Sequence, residues 1–347
     1  MIRRRRMLAQ LGVVALLGCA PSAAAEAERL VRVSDGGTPM GTYMMVTVYA
    51  SDEATGRQAI AAAFARVEEI EAVTSHFREG SDLSKLNRAA GGPALPIGKE
   101  LWTILRRCLE VSEETGGAFD ATVGPLVALW KRTWKVGKAP SDAEAAAAKA
   151  LVDYRAVRLA PGEPRAQLLK QGMGVDLSGI AKGYAVDRAL AVLRERGIPA
   201  ALVDAGGDIC AYGAPPEREA WLVGIRDPSR PGKILPKPLR LLDRAVATSG
   251  DYEQFGAAAG RRYSHILDPR TGKPVEGMTS VTVIAPDATT ADAYATALSA
   301  LGPEQAVAFA EKRPGIEVMV ISQRNGEART LRSKGFSRLE VTPAGSN

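Results

Sequence analysis

Between residues 200 and 285 the chain repeats one short pattern, in which apolar runs of a few residues are stopped by glycine, proline or aspartate. The runs fall at 200–203, 208–212, 221–225, 239–242 and 245–248, and a strand at 280–285 closes the set. Short strands separated by turn residues read as an antiparallel meander. The helical patterns lie elsewhere. Residues 53–73 form an amphipathic helix with Ile60, Phe64, Val67 and Ile70 at helical spacing. Further helices are predicted at 100–115, around 123–133, at 142–151 behind Ser141 as cap, and at 180–196, the last stopped by Gly197 ahead of Pro199. Strands are expected at 43–49, 156–159, 166–170 and 173–177, with a polar loop over 75–87 and a loop rich in Gly and Pro over 90–98. After the meander come helices at 287–301 and 303–311 and a strand at 317–322. Segregated helices and meandering strands predict an α+β fold, a mostly antiparallel sheet with packed helices, over a doubly wound parallel sheet.

The N-terminus has the form of an export leader. Arg3 to Arg6 precede a short apolar run from Leu8 to Leu17, followed by Gly18 and Cys19. The string Leu16-Leu17-Gly18-Cys19 has the form of a bacterial lipobox, which would make Cys19 the lipidated mature N-terminus, while Ala23-Ala24-Ala25 offers a competing soluble cleavage site. The arginine run also loosely fits a twin-arginine signal. On this reading residues 1–25 are a signal peptide with cleavage before Cys19. Residues 26–347 form one domain, with two intimately packed subdomains as an open alternative, in the periplasm and anchored to a membrane as a lipoprotein. The formal charge of +6 then loses its four leader arginines, leaving about +2. With two histidines, six phenylalanines and no basic cluster interleaved with aromatics, a nucleic-acid binder has little support. Besides Cys19 only Cys108 and Cys210 are present, free to pair or to be buried separately, and no Cys/His cluster suggests zinc or iron–sulfur.

Four local patterns carry chemistry. Residues 174–185, GVDLSGIAKGYA, place Asp176, Gly179 and Lys182 in a strand-to-helix turn that can aim N–H groups and an ammonium at a phosphate. Ile180 and Ala181 stand where a Walker loop would need Lys and Ser or Thr. Asp176 can hold a metal, bind a ligand or cap the following helix, and Lys182 can equally be a solvated helix lysine. Asp292 and Thr296, four apart near a helix start, can present a carboxylate and a hydroxyl to one hard cation such as Mg²⁺. Their structural alternative is dipole compensation by Asp292 and back-bonding by Thr296. His265 precedes the turn sequence Asp268-Pro269-Arg270-Thr271-Gly272 and is the better acid–base candidate of the two histidines. The fourth pattern, Asp204-Ala205-Gly206-Gly207-Asp208, is a strand-turn-strand with both glycines free to take positive φ.

These pieces, in this order, resemble the ApbE family of FAD:protein FMN transferases. Met40-Gly41-Thr42, the stretch Ser81-Asp82-Leu83-Ser84-Lys85-Leu86-Asn87 and the segment from Ala118 to Leu126 extend the resemblance, which runs from about Pro39 to Leu301. It implies a T-fold-like architecture and FAD as substrate with Mg²⁺ as cofactor. The FMN moiety would pass to a Thr or Ser hydroxyl of an acceptor flavoprotein, such as a redox-complex subunit, with release of AMP. By the same resemblance Gly179, through its carbonyl, Asp292 and Thr296 hold Mg²⁺. Met40, Phe77, Ala118, Phe119, Asp120, Asp176, Lys182, Ile266 and Ala295 line the FAD site. His265 is the candidate general base, and Asp176 orients a phosphate-side group or water. Phe77 stands where the family commonly has tyrosine, which keeps ring stacking and loses a hydroxyl. The competing readings are a Mg²⁺-dependent FAD pyrophosphatase and a flavin-binding lipoprotein without chemistry.

Overall fold

The computed structural model describes residues 29–230, 232–250, 255–258, 261–324 and 327–342, so the expected leader with Cys19 lies outside the described residues. Eight strands make the main sheet: β1 (Val31–Gly37), β2 (Met44–Ala50), β3 (Ala200–Ala205), β4 (Asp208–Tyr212), β5 (Arg244–Gly250), β6 (Met278–Ala285), β7 (Glu317–Arg324) and β8 (Glu327–Arg332). Their order in the sheet is their order in the chain, and every neighbouring pair is antiparallel. Eight α-helices accompany them among the described residues. They are α1 (Glu53–Thr74), α2 (Asp82–Arg88), α3 (Lys99–Glu114), α4 (Gly124–Val136), α5 (Asp142–Ala150), α6 (Ala181–Glu195), α7 (Ala288–Leu301) and α8 (Pro303–Glu311). The first six lie between β2 and β3, and the last two between β6 and β7. The α+β expectation therefore holds.

Period-two alternation sorts the sheet's side chains between two cores. Val46 and Val48 of β2, Ala201 and Val203 of β3, Cys210 of β4 and Val281 and Val283 of β6 join the helices in the larger core. Ile209 and Ala211, Val246, Ile284 and Met319, from the other face, meet Trp221, Leu239, Leu241 and Phe336. Trp221–Val223 and Leu239–Leu241 pair as a separate two-stranded sheet that covers this second face, so these two runs leave the predicted meander. A third cluster of Leu126, Trp130, Val152 and Leu267 seats the hairpin of Leu267–Asp268 and Lys273–Pro274 on α4.

Two local expectations are corrected. Residues 75–87 are not all loop, because Ser81 accepts from the Ser84 N–H and caps α2, whose Leu83 and Leu86 reach the core. Residues 173–177 form no strand; one parallel bridge joins Gly174 to Val123, and the segment is otherwise held by a backbone bond from Asp176 to Ala121 and by an asparagine side chain on Val175. Cys108 and Cys210 are both free and buried, which settles the open alternative against a disulfide.

Candidate active site

The geometry begins where α6 and α7 cross with almost no side chain between them. A Cβ on Gly183 would stand 2.2 Å from the Ala288 carbonyl oxygen and 2.9 Å from the Asp292 Cβ. One helical turn earlier, a Cβ on Gly179 would meet Thr296 Oγ1 at 2.9 Å. The bare backbone at these two positions lets α7 lie against the turn and brings Gly179, Asp292 and Thr296, the set the resemblance implies, to one crossing. Gly183 N–H donates to Asp292 Oδ2 at 3.1 Å, which fixes the carboxylate and leaves Oδ1 for another partner.

The structural alternatives for this pair fail on the same geometry. The start of α7 is already capped by Asp287, which accepts from the Thr290 N–H at 2.7 Å, and by Asp187 of α6, which accepts from the N–H groups of Ala288 and Thr289. Asp292 lies beyond that first turn and is buried. Ser299 back-bonds to the Ala295 carbonyl at 2.8 Å, whereas the Thr296 hydroxyl makes no hydrogen bond to a described residue. Ala295 is buried beside it. Among the described residues no three His, Cys, Asp or Glu side chains converge, so a metal here would rest on one carboxylate, one hydroxyl and a backbone carbonyl. Such all-oxygen donors, with positions left over for water or phosphate, fit Mg²⁺.

Lys182 is not a solvated lysine. Its ammonium contacts Asp208 Oδ2 and lies 4.0 Å from Asp292 Oδ1. Burial works against its charge, but Asp292 and Asp208 outweigh that and hold its pKa above the ordinary lysine value. Burial and then the Asp292 charge raise the Asp208 carboxyl, against the pull of Lys182. Asp208 comes from the β3–β4 hairpin, where Gly206 and Gly207 take the expected positive φ, 65° and 96°. Sequence reasoning quoted Asp208 only as part of a turn. Its parity with Cys210 on β4 is the signal that it faces the helices.

Asp176 does not cap α6. The helix begins at Ala181 behind Ile180, and Asp176 Oδ1 instead accepts the Ser178 N–H at 2.8 Å, rigidifying the turn while its second oxygen makes no hydrogen bond to a described residue. The turn is tied to neighbouring segments by backbone bonds, Asp176 N–H to Ala121 O and Gly124 N–H to Gly174 O. Asn87 of α2 completes the attachment, donating to Val175 O at 2.9 Å and accepting its N–H at 2.7 Å. The segment from Ala118 to Asp120 thus lies against the turn. Ala118 and Phe119 are buried, and Asp120 accepts from Thr122 and from the Tyr154 N–H. Burial raises the Asp120 carboxyl, partly offset by those hydrogen bonds. The N–H groups of Ala118 and Phe119 donate to the carbonyl and the hydroxyl of Thr115.

Met40 is tied to the segment next to Phe77 by a residue the sequence reading missed. Glu71, near the end of α1, accepts the Met40 N–H at 3.0 Å and pairs with Arg78, the neighbour of Phe77. Met40 itself adopts φ 56°, a left-handed conformation uncommon outside glycine and held here by that bond. Phe77 is 82% exposed; His76 packs against its ring with centroids 3.8 Å apart, and the Lys131 ammonium lies 6.0 Å from the ring centroid. His265 and Ile266 sit, as expected, between the strand Arg261–Ser264 and the hairpin at Leu267. Ile266 is buried and held by Ser264 and Val275, and Arg270 ties the turn to the end of α7 through Ala300 O at 2.7 Å.

The chain and its fold have counterparts among known proteins. The family model described as "ApbE family" matches residues 40–320. The chain belongs to the ApbE family. Among curated ApbE relatives, a FAD:protein FMN transferase of Treponema pallidum is 34% identical over 327 residues, covering 90% of each chain. One of Klebsiella pneumoniae is 33% identical, covering 96% of this chain and 97% of its own. Among solved structures, the ApbE protein of Thermotoga maritima superimposes with a TM-score of 0.82 at 32% identity, over 90% of this chain and all of its own. Flavin Transferase ApbE from Vibrio cholerae gives 0.78 at 29%, over 89% of this chain and 99% of its own.

Proposed function

We propose that the protein is a Mg²⁺-dependent FAD:protein FMN transferase that moves the FMN part of FAD onto a Thr or Ser hydroxyl of an acceptor flavoprotein and releases AMP. The observation that carries this reading is the α6–α7 crossing, where Gly179, Asp292 and Thr296 form an oxygen cradle beside Lys182, in a chain whose relatives bear that name. Mg²⁺ held there by Asp292, Thr296 and the Gly179 carbonyl would neutralise pyrophosphate charge. Phe77 stacks on the flavin ring. Met40, the Ala118–Asp120 backbone, Ile266 and Ala295 shape its surroundings, and Asp176 orients a phosphate-side group through its second oxygen. His265 accepts the proton of the acceptor hydroxyl as its oxygen bonds to the FMN phosphorus; the phosphoanhydride bond to AMP breaks, and AMP leaves. The export leader supports a periplasmic location with Cys19 as membrane anchor.

Incubation with FAD, Mg²⁺ and an acceptor domain, read by intact mass, tests the reading. A covalent FMN adduct on the acceptor supports it; free FMN without an adduct makes the protein a pyrophosphatase, and neither product makes it a flavin store. Loss of a positioned acid–base group costs roughly 10²–10⁴-fold in rate. His265→Ala should therefore keep FAD binding and lose transfer by about that factor, and unchanged transfer would remove His265 from the role.

A further inference from the structure

Lys182 lies between two buried carboxylates and has chosen one. Its ammonium is in contact with Asp208 and 4.0 Å from Asp292 Oδ1, the single oxygen of Asp292 that the Gly183 N–H leaves available. The Asp208 side chain is 3% exposed and that of Asp292 5%, so neither charge is screened by bulk water. An ammonium in contact with Asp292 would occupy the oxygen a cation needs. The geometry points to Asp208 as the positioning residue that holds Lys182 off Asp292 and so keeps the metal ligand open. This rests on the metal reading of Asp292 and Thr296 given above.

Three features support the assignment. Asp208 opens β4 directly after the Gly206–Gly207 turn, in register with Ala205, so its position is set by a hairpin rather than by the mobility of a loop. Lys182 sits in the first turn of α6, next to Gly183, and that glycine's amide binds the same carboxylate; one short stretch of α6 therefore both anchors Asp292 and carries its competitor. The remaining nearby carboxylate, Asp204, is held on the other parity of the hairpin by the Gly207 N–H at 2.8 Å; its charge reaches Lys182, but the ammonium is in contact with Asp208.

The test is a double-mutant cycle on metal binding, because Asp208 also contributes charge to the site and a single variant does not separate the two effects. The variants are Asp208→Asn, Lys182→Met and both together, with Mn²⁺ as the probe and bound ion counted by electron paramagnetic resonance on the protein with FAD. If Asp208 acts by restraining Lys182, Asp208→Asn weakens Mn²⁺ binding by about tenfold or more when Lys182 is present, since an ammonium released within a few ångströms competes directly for Asp292. In the Lys182→Met background the same change costs less than about threefold. An equal loss in both backgrounds, or no loss in either, overturns the inference. Should Asp208→Asn alone fail to fold, the comparison of Lys182→Met with the double variant still decides, with a loss of about tenfold or more refuting it. Asp292→Ala in the same assay tests the metal reading separately; undiminished binding there would overturn that reading and the inference with it.

Discussion

Gly183→Ala isolates the crossing of α6 and α7 on which the candidate site depends. In an open helix this change is favourable by up to about 1 kcal/mol, because alanine loses less backbone entropy on folding. Here the new Cβ would stand 2.2 Å from the Ala288 carbonyl oxygen and 2.6 Å from its carbon, both backbone atoms of α7. Comfortable contact needs a separation above about 3 Å, so the helices must part by roughly an ångström, at an overpacking cost of about 1–3 kcal/mol. That movement also stretches the 3.1 Å bond from Gly183 N–H to Asp292 Oδ2, worth about 1.5–3 kcal/mol for a charged acceptor. The sum, less the helical gain, is a loss of about 1.5–5 kcal/mol, together with weaker metal binding as Asp292 moves away from Gly179 and Thr296. Urea unfolding and a Mn²⁺ titration check both. Equal or greater stability with undiminished metal binding would refute the close-crossing account.

Two further changes test the scaffold around the site. Asp187, which caps α7 from α6, is pushed by burial up to about 6 from an ordinary 3.8. A raised carboxylate binds its proton more tightly when folded, so its contribution is full below about pH 4 and is lost as pH rises to about 6, with a slope of about 1.4 kcal/mol per pH unit. Asp187→Asn should remove that slope from the stability profile measured between pH 4 and 6.5; an unchanged slope refutes the assignment. Asn87→Ala leaves the N–H and C=O of Val175 without their partner and should cost about 2–4 kcal/mol in urea unfolding and weaken FAD binding. Asn87→Asp keeps the acceptor alone and should fall between, so a loss below about 0.5 kcal/mol for the alanine variant counts against the clamp.

The elements legible in the sequence are those whose pattern is local. The 3.6-residue spacing of Ile60, Val67 and Ile70 places α1 to within a residue, and the apolar run of 208–212 between Gly207 and Gly213 places β4 at its observed bounds. The segment 173–177 failed because its apolar run is strand-like, while its actual neighbours are the backbone at 121–124 and the side chain of Asn87, 88 residues away from Val175. No window of sequence contains that pairing. Edge strand β1 was missed for a related reason: Val33 is its one buried residue, so it has little apolar alternation to read.

The candidate site divides along the same line. Residues that would touch a ligand stand in short motifs and can be named from them, as Asp292 and Thr296 are from their spacing of four. The residues that hold those side chains in place are visible only once strands and helices are in register. Asp208 meets Lys182 because β4 puts Asp208 on the same face as Cys210, and because Gly179 and Gly183 let α6 approach α7 closely enough for Lys182 to sit beside Asp292. A one-residue shift of the β3–β4 register would turn Asp208 to the other face, against Val246 and Ile284, and leave Lys182 with Asp292 as its nearest carboxylate. The two-residue Gly206–Gly207 turn fixes that register, since the sign of φ required there is open to glycine and strained for nearly every other residue. The part of the hairpin that looks most like a mere connection therefore decides which carboxylate the lysine meets.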